Sequence, residues 1–311
     1  MQYKNVLITG GAGFIGGHLA HRLVELGKNV IILDNLSVGR KENTPQKARL
    51  IVGDIRDTGV VKSLMSSTEV VFHLAAKVSI RAAVEQFYDD ADINTMGTLN
   101  VLRAARDAGC RKFIYASSMA VYGNPDYSPQ NENHPLRPTS PYGVSKFASE
   151  NYISVLAPMW GMDFVNLRFF NTYGSRQTLS PYVGVITIFI RNMLEGKPIQ
   201  IFGDGKQRRD FTYVKDIVDA CVLAAENDKS NFTVNVGTGI PTDINTIADL
   251  LSSCLDYKLK PEHTPPVPGE PGDSIANTKL AEELLGFKAK WRLEDKIDEV
   301  IEWNRFVKKS F

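Results

Sequence analysis

The chain has 311 residues, 36 Lys and Arg against 35 Asp and Glu, a formal net charge of +1, and 43% hydrophobic residues. That length suits one large α/β unit or two small domains. The near-neutral balance, without any block of like charge, argues against a nucleic-acid or membrane-surface partner held by bulk charge.

Val6-Leu-Ile8 is a short apolar run, read as a buried strand, and it leads into Thr9-Gly-Gly-Ala-Gly-Phe-Ile-Gly16. A helical pattern follows, with Ile15, Leu19, Leu23 and Leu26 on one face and Gly27 as its stop. Val30-Ile-Ile-Leu33 is a second buried strand, ending on Asp34. Strand, glycine turn, helix, strand and acid form the context of a dinucleotide site. The glycines permit a tight turn and close approach of a pyrophosphate, and the helix start offers free N–H groups. Two spellings fit: Gly11, Gly13 and Gly16 as GxGxxG, or Gly10, Gly13 and Gly16 as TGxxGxxG. Asp34 is placed to accept hydrogen bonds from the adenosine ribose and to repel a 2′-phosphate, which favours NAD over NADP. Arg40 and Lys41 keep NADP open, although they read more simply as solvated loop charges.

Leu50-Ile-Val52 is a third strand, followed by Gly53-Asp-Ile-Arg56, where an acid beside an apolar residue suits an adenine amino group. Val70-Val-Phe-His-Leu-Ala-Ala76 is a fourth strand, ending in small residues that let a cofactor lie close. The pattern then predicts one long helix from Val84 to Ala108, with Asn94 inside it and Gly109 as cap. Lys112-Phe-Ile-Tyr-Ala116 is a fifth strand, running into Ser117-Ser-Met-Ala-Val-Tyr-Gly123. Such alternation means a doubly wound parallel sheet of the Rossmann type, with ligands at the carboxyl ends of its strands. Gly10, Asp34, Asp54, Ala75, Ala76 and Ser118 all fall at those ends.

In Ser140-Pro-Tyr-Gly-Val-Ser-Lys146 a phenol and an amine stand four residues apart. Pro141 suits the first turn of a helix, on which Tyr142 and Lys146 share a face. A tyrosine titrates near ~10, so a base working near neutrality must shift by roughly 3 units. One cation about 4 Å away supplies about that much, so Lys146 and an oxidised nicotinamide are expected to hold Tyr142 ionised. Ser118 is placed to share the proton.

In the second half the rhythm weakens. Phe164-Val-Asn-Leu-Arg-Phe-Phe-Asn171 is a buried strand, and an irregular loop runs from Thr172 to Pro181. A helix over Val183–Leu194, a strand over Ile199–Phe202 and a returning strand over Thr233–Val236 follow. Further helices are expected over Asn245–Asp256, Thr278–Leu285 and Leu293–Lys308, with a proline-rich loop over Pro261–Pro271. The overall reading is an α/β chain with an NAD domain over 1–170, joined by a returning segment near 212–237. A smaller mixed α/β substrate domain covers 171–311. Arg209 suits a diphosphate through its planar fork of donors. The cysteines, Cys110, Cys221 and Cys254, show no metal spacing or disulfide framework and read as buried hydrophobes. No metal site is expected. No apolar run approaches the ~18 residues of a membrane span, and the start lacks the features of a signal peptide, so a cytoplasmic protein is expected.

Taken together, these motifs resemble the extended short-chain dehydrogenase/reductases and, within them, the UDP-glucose 4-epimerases. The resemblance rests on the glycine turn, Asp34-Asn-Leu-Ser37 with Gly39, Gly53-Asp54, Leu74-Ala-Ala76 and Ser117-Ser118. It continues through Tyr142 with Lys146, Arg168-Phe-Phe-Asn171, Gly203-Asp-Gly205 and Arg209-Asp-Phe211. It implies catalysis by Ser118, Tyr142 and Lys146. It implies NAD contacts from Gly10, Gly13, Phe14, Ile15, Gly16, Asp34, Asn35, Ser37, Gly39, Asp54, Ile55, Leu74, Ala75, Ala76, Lys77, Asn94 and Phe170, as well as from Tyr142 and Lys146. A UDP-sugar would be held by Asn171, Val185, Arg209 and Glu270 beside Ser118 and Tyr142. A homodimer would form through the helix after Val84 and the helix carrying Tyr142.

The implied reaction removes a hydride from sugar C4 to bound NAD, turns the 4-keto sugar over and returns the hydride to the other face. Related dehydratases place an Asp-Glu pair after the catalytic hydroxyl residue, where this chain has Met119 and Ala120. Two departures from the family pattern stand out. Val267 occupies the place of an arginine that grips the diphosphate, and Ser274 stands where glucose-restricted epimerases often carry a tyrosine. The second leaves room for N-acetylated sugars. Another sugar-nucleotide epimerase, a reductase or dehydratase, or a catalytically silent NAD-binding module are the competing readings.

Overall fold

The computed structural model describes residues 3–78, 82–177, 184–266 and 272–309. Its first half runs β1 (Asn5–Thr9), α1 (Phe14–Glu25), β2 (Asn29–Asp34), β3 (Arg49–Val52), α2 (Thr58–Met65) and β4 (Val70–His73). Then come short helices α3 (Ala82–Glu85) and α4 (Phe87–Ala91), a π-helical turn (Asp92–Gly97), α5 (Thr98–Asp107), β5 (Lys112–Ser118), α6 (Pro141–Met159) and β6 (Asp163–Phe169).

After these lie β7 (Asn171–Tyr173), α7 (Val185–Leu194), β8 (Gln200–Phe202), β9 (Arg208–Tyr213), α8 (Val214–Glu226), β10 (Phe232–Val236), β11 (Pro241–Asp243) and α9 (Ile244–Leu255). The chain closes with β12 (Glu262–Thr264), β13 (Asp273–Ser274), α10 (Lys279–Leu285) and α11 (Leu293–Lys309).

Seven strands form one parallel sheet in the order β10-β6-β5-β4-β1-β2-β3. Strands covered on both faces read as continuous apolar runs rather than alternating ones, which is why β1, β2, β4 and β5 are plain in the sequence. One face packs against Leu19 and Leu23 of α1, Ile217 and Cys221 of α8, and Leu285 of α10. The other takes Val61 and Leu64 of α2, Val101 and Leu102 of α5, and Ile153 and Ala157 of α6. A third core gathers Phe189 of α7, Leu251 of α9 and Val300 of α11 around Phe211 and Tyr213 of β9.

The expected helix over Val84–Ala108 is instead broken into α3, α4, the π-helical turn and α5. The turn brings the Asn94 side chain to the backbone of Lys77, accepting from its N–H at 2.8 Å and donating to its carbonyl at 3.1 Å. Inside the same turn Gly97 lies so close to Ile55 that a Cβ would meet its Cδ1 at 2.6 Å. Pairing needs beyond the helix, not helical periodicity, set this geometry. Helices α2 and α8 lie outside the sequence expectation. So do β7, β9, β11 and β13, which join in a small separate sheet. The strand expected over Ile199–Phe202 does not enter the main sheet but pairs with β12. Cys254 is exposed rather than buried. The expected helix start at Val183 and the last part of the proline-rich loop, 267–271, lie outside the described residues. Among the described residues no helix is long and apolar enough to cross a membrane.

Candidate active site

The turn after β1 is built for close approach. Gly10 has φ +71°, and a Cβ there would meet the Ala75 backbone nitrogen at 2.7 Å. A Cβ on Gly16 would meet the Gly10 carbonyl oxygen at 2.1 Å, so α1 is drawn tightly under the turn. Gly13, the N-cap of α1, has no side-chain cap, and the first turn carries no acid. Its N–H groups are thus left to an anion, as a pyrophosphate site requires. Asp34 ends β2, accepting from Ala12 N–H and Leu36 N–H at 2.9 Å each. Each carboxylate oxygen keeps lone-pair capacity for a ribose hydroxyl. Gly39 packs on Ala12, and the exposed Asn35 and Ser37 stand on the same loop.

Asp54 is held by Arg56 through its Nε at 2.9 Å and Nη2 at 2.8 Å, which pulls the carboxyl down to about 2. Asn35 donates to it at 3.3 Å. Ile55 is buried beneath, while Leu74, Ala75, Ala76 and Lys77 form a half-buried strip past β4. Phe14 and Ile15 open α1. Phe170 packs into a small cluster with Val121, Tyr122 and Ala276. Cradle, uncapped helix start and acid at the end of β2 together fit NAD.

One buried residue escaped the sequence reading. His73 accepts from the Thr9 hydroxyl at 2.6 Å through Nδ1 and donates to Thr98 at 2.8 Å through Nε2. Thr98 donates onward to the Asn94 carbonyl at 2.6 Å, which fixes this tautomer. Burial keeps the ring neutral, its pKa lowered to about 3. The histidine ties the start of the glycine turn to α5. Its position at the end of an apolar strand was the available signal.

Helix α6 starts as expected. Ser140 caps it, its hydroxyl accepting from Gly143 N–H at 3.1 Å, and Pro141 occupies the first turn. Tyr142 and Lys146 lie buried on one face. Lys146 Nζ donates to the Ala116 carbonyl at 2.8 Å and lies 5.9 Å from the centre of the Tyr142 ring. Ser118 ends β5, its hydroxyl accepting from Ala120 N–H at 3.2 Å, and it lies beside the Tyr142 phenol. Strand end and helix start thus bring the three residues together.

Burial pushes the Tyr142 phenol up to about 12; Ser118 works against that and Asp90 adds to it. Burial also lowers Lys146 to about 8, opposed by the charges of Asp90 and Glu150. In the protein alone burial therefore keeps the phenol protonated near neutrality; the expected ionisation invokes the charge of an oxidised nicotinamide as well as that of Lys146.

Across the cleft, Asn171 of β7 pairs in register with Phe211 of β9, which puts it on the same sheet as Arg209. Arg209 is buried and donates to the carbonyls of Arg208 and Gly272 at 3.0 Å each. Asn171 Oδ1 is buried without a hydrogen-bond partner. Val185, half-buried, begins α7. Ser274 pairs with Arg209, and its hydroxyl donates to Met119 Sδ at 3.2 Å, next to Ser118. Val267 and Glu270 lie outside the described residues.

A doubly wound sheet with a glycine cradle, an acid ending its second strand and a Ser-Tyr-Lys cluster defines an extended short-chain dehydrogenase/reductase. Residues 6–237 match the model of the NAD dependent epimerase/dehydratase family. The chain is 41% identical over 300 residues to a putative UDP-glucose 4-epimerase of Methanocaldococcus jannaschii, covering 96% of this chain and 97% of that one. The UDP-glucose 4-epimerase of Thermotoga maritima, solved with UDP-glucose, superposes with a TM-score of 0.94 at 37% identity, over 97% of this chain and 99% of that one. The UDP-N-acetylglucosamine 4-epimerase of Methanobrevibacter ruminantium, solved with UDP-N-acetylmuramic acid, gives 0.94 at 34%, over 99% and 100%. The chain belongs to the NAD dependent epimerase/dehydratase family and is an NAD-dependent sugar-nucleotide epimerase.

Proposed function

We propose that the protein is a UDP-glucose 4-epimerase, interconverting UDP-glucose and UDP-galactose through a 4-keto sugar. The observation that carries the reading is the meeting of Ser118, Tyr142 and Lys146 beside the glycine cradle. The two residues that follow Ser118 bear no acid or base: Met119 receives the Ser274 hydroxyl, and the Ala120 carbonyl packs on Gly143. Eliminating water needs an additional proton donor and acceptor, so oxidation and re-reduction at one carbon is the simplest chemistry.

NAD, when bound, takes up and gives back the hydride. Tyr142 takes the proton of the sugar 4-hydroxyl and later returns it, with Ser118 sharing that proton. Lys146 supplies the neighbouring positive charge. Gly10, Gly13, Gly16, Asp34 and the strip from Leu74 to Lys77 hold the cofactor. Asn171 and Arg209 grip the diphosphate while the sugar turns, and Val185 lines the nucleotide. Residues 171–311 would supply most of the substrate side. A homodimer is supported by the exposed apolar residues Val84, Phe87 and Tyr88 of α3 and α4, with Val144, Val155 and Met159 of α6.

The test is incubation with UDP-galactose and no added cofactor. The reading requires UDP-glucose to form without accumulation of NADH. A reductase would consume stoichiometric NADH or NADPH, and a silent binding module would yield no product. The small Ser274 favours a second substrate, UDP-N-acetylglucosamine, on the same site.

A further inference from the structure

Asp90 has no place in the scheme so far. It sits on α4, is 1% exposed, and accepts from Asn94 Nδ2 at 2.9 Å. Its other oxygen is buried and has no hydrogen-bond partner among the described residues. The hydroxyl of Ser145, adjacent to Lys146, lies beside the carboxylate and donates to the Tyr142 carbonyl at 3.0 Å.

The surrounding charges single Asp90 out. Glu150, one turn beyond Lys146, is neutralised by Arg168 of β6, which reaches it at 2.8 and 3.0 Å with both side chains about 5% exposed. Lys77 turns outward, its Nζ bonding Gln86 at 2.6 Å and facing Asp89 at 3.4 Å. His73 of β4 and Tyr115 of β5, the remaining titratable groups against Lys146, are neutral. That leaves the buried ammonium of Lys146 and the buried carboxylate of Asp90. A buried cation is retained only with a counter-charge nearby.

We infer that Asp90 is a positioning residue that acts as the ionised counter-charge of Lys146, while its bond to Asn94 fixes α4 beside the catalytic helix. The inference rests on the roles proposed above for Tyr142 and Lys146. It also fits a reaction that runs both ways. The phenol must act as base and then as acid within one turnover, and a negative charge nearby keeps its return to the protonated form favourable. Burial raises the Asp90 carboxyl above the usual carboxylate range, and Ser145, Lys146, Asn94 and Lys77 oppose that rise and favour the ionised form.

The sign of the test does not depend on which limb belongs to which residue, since strongly coupled groups titrate as a pair. Removing a negative charge makes every nearby proton loss easier. In the full-length holoenzyme, Asp90→Asn therefore shifts both limbs of the kcat pH profile toward acid by about 1 unit or more. Asp90→Glu, which keeps the charge, returns them toward the wild-type positions. Should the Asn variant fail to fold, Asp90→Thr repeats the measurement with a smaller neutral side chain. Limbs that stay in place when the charge is removed, whatever happens to kcat, overturn the inference. So does an Asp90→Glu profile shifted as far as that of the neutral variant. Tyr142→Phe is run alongside: if it retains turnover, the proposed catalytic reading has failed, independently of Asp90.

Discussion

Lys146 donates to the Ala116 carbonyl at 2.8 Å, two residues before Ser118 in the same strand. This bond fixes the distance between amine and phenol, because it anchors a long side chain to the sheet rather than to the tyrosine. It also leaves the ammonium in a dry site, where its charge is costly until a ligand or counter-charge offsets it.

That cost gives a pH signature. The folded-state value of Lys146, about 8, lies below its ordinary value of 10.5. Between those values the unfolded chain binds more protons at this residue, so its contribution to stability rises with pH and is least favourable below about 8. The full span is worth up to about 3 kcal/mol. Nucleotide-stripped wild type should therefore gain stability relative to Lys146→Met between pH 8 and 10, measured by urea unfolding at each pH. A constant difference across that window would show that the amine is not desolvated.

Tyr142→Phe removes the only atom of that ring able to exchange a proton with the substrate. General acid–base catalysis contributes roughly 10²–10⁴-fold, and kcat should fall by that much. Ser118→Ala should cost less, since the hydroxyl only shares the proton. Bound nucleotide, released by heat and quantified, should stay at the wild-type level in both variants. Loss of nucleotide with loss of activity would assign these residues to binding instead.

Gly13 and Gly16 should respond differently to one added methyl. At Gly16 it meets the Gly10 carbonyl oxygen at 2.1 Å, so Gly16→Ala must displace backbone. It should lower Tm markedly as well as abolish NAD binding. At Gly13 the nearest protein atom is 3.2 Å away and φ is −74°, which alanine adopts freely. Gly13→Ala should keep Tm within a few degrees yet weaken NAD binding tenfold or more, if the space beside it belongs to the pyrophosphate. Unchanged NAD affinity in the Gly13 variant would move the cofactor elsewhere.

The sequence displays some of this site plainly and hides the rest, for physical reasons. Val6-Leu-Ile8, the glycine turn and Asp34 are legible because a fully covered parallel strand and a tight turn each demand particular residue types. Tyr142 and Lys146 are legible through helical spacing. Asp90 and His73 are not, since their importance comes from partners 25 to 64 positions away that only the fold brings close. The π-helical turn at Asn94 is hidden because helical periodicity runs straight through it. Strand β9 is masked by Arg208, Arg209 and Asp210, whose charges are satisfied by the segments on either side and so interrupt the apolar pattern. Spacing reveals a nearby cation but not the depth of burial, which is what raises the phenol in the protein alone.

Glu150→Gln tests the buried pair behind the site. Arg168 also donates to the Tyr122 hydroxyl at 2.9 Å, and Tyr122 donates to Asn235 at 2.6 Å, joining α6, β6 and β10. Removing the carboxylate leaves a buried guanidinium without its hydrogen-bonded counter-charge, which costs about 3–5 kcal/mol. The midpoint of urea unfolding should fall accordingly, with the slope unchanged. Glu150→Gln combined with Arg168→Met should recover part of the loss, because the uncompensated charge is then gone. A single variant within ~0.5 kcal/mol of wild type would mean that water reaches the pair.

Ser274 bears on which sugar is accepted. It is buried, lies in register with Arg209, and its hydroxyl rests on Met119 beside Ser118, so it joins the strand of the proposed diphosphate grip to the proposed catalytic hydroxyl. A serine there is far smaller than a tyrosine, and steric discrimination in a sugar pocket is worth about 1–3 kcal/mol. Wild type should turn over UDP-N-acetylglucosamine as well as UDP-glucose. Ser274→Tyr should lower kcat/KM for the N-acetylated sugar at least tenfold more than for the unsubstituted one. Because a large residue at a packed position can itself cost about 1–3 kcal/mol, Tm is recorded in parallel and only the ratio between substrates is interpreted. Good turnover of UDP-glucose with none of UDP-N-acetylglucosamine in the wild type would show that another wall closes the pocket.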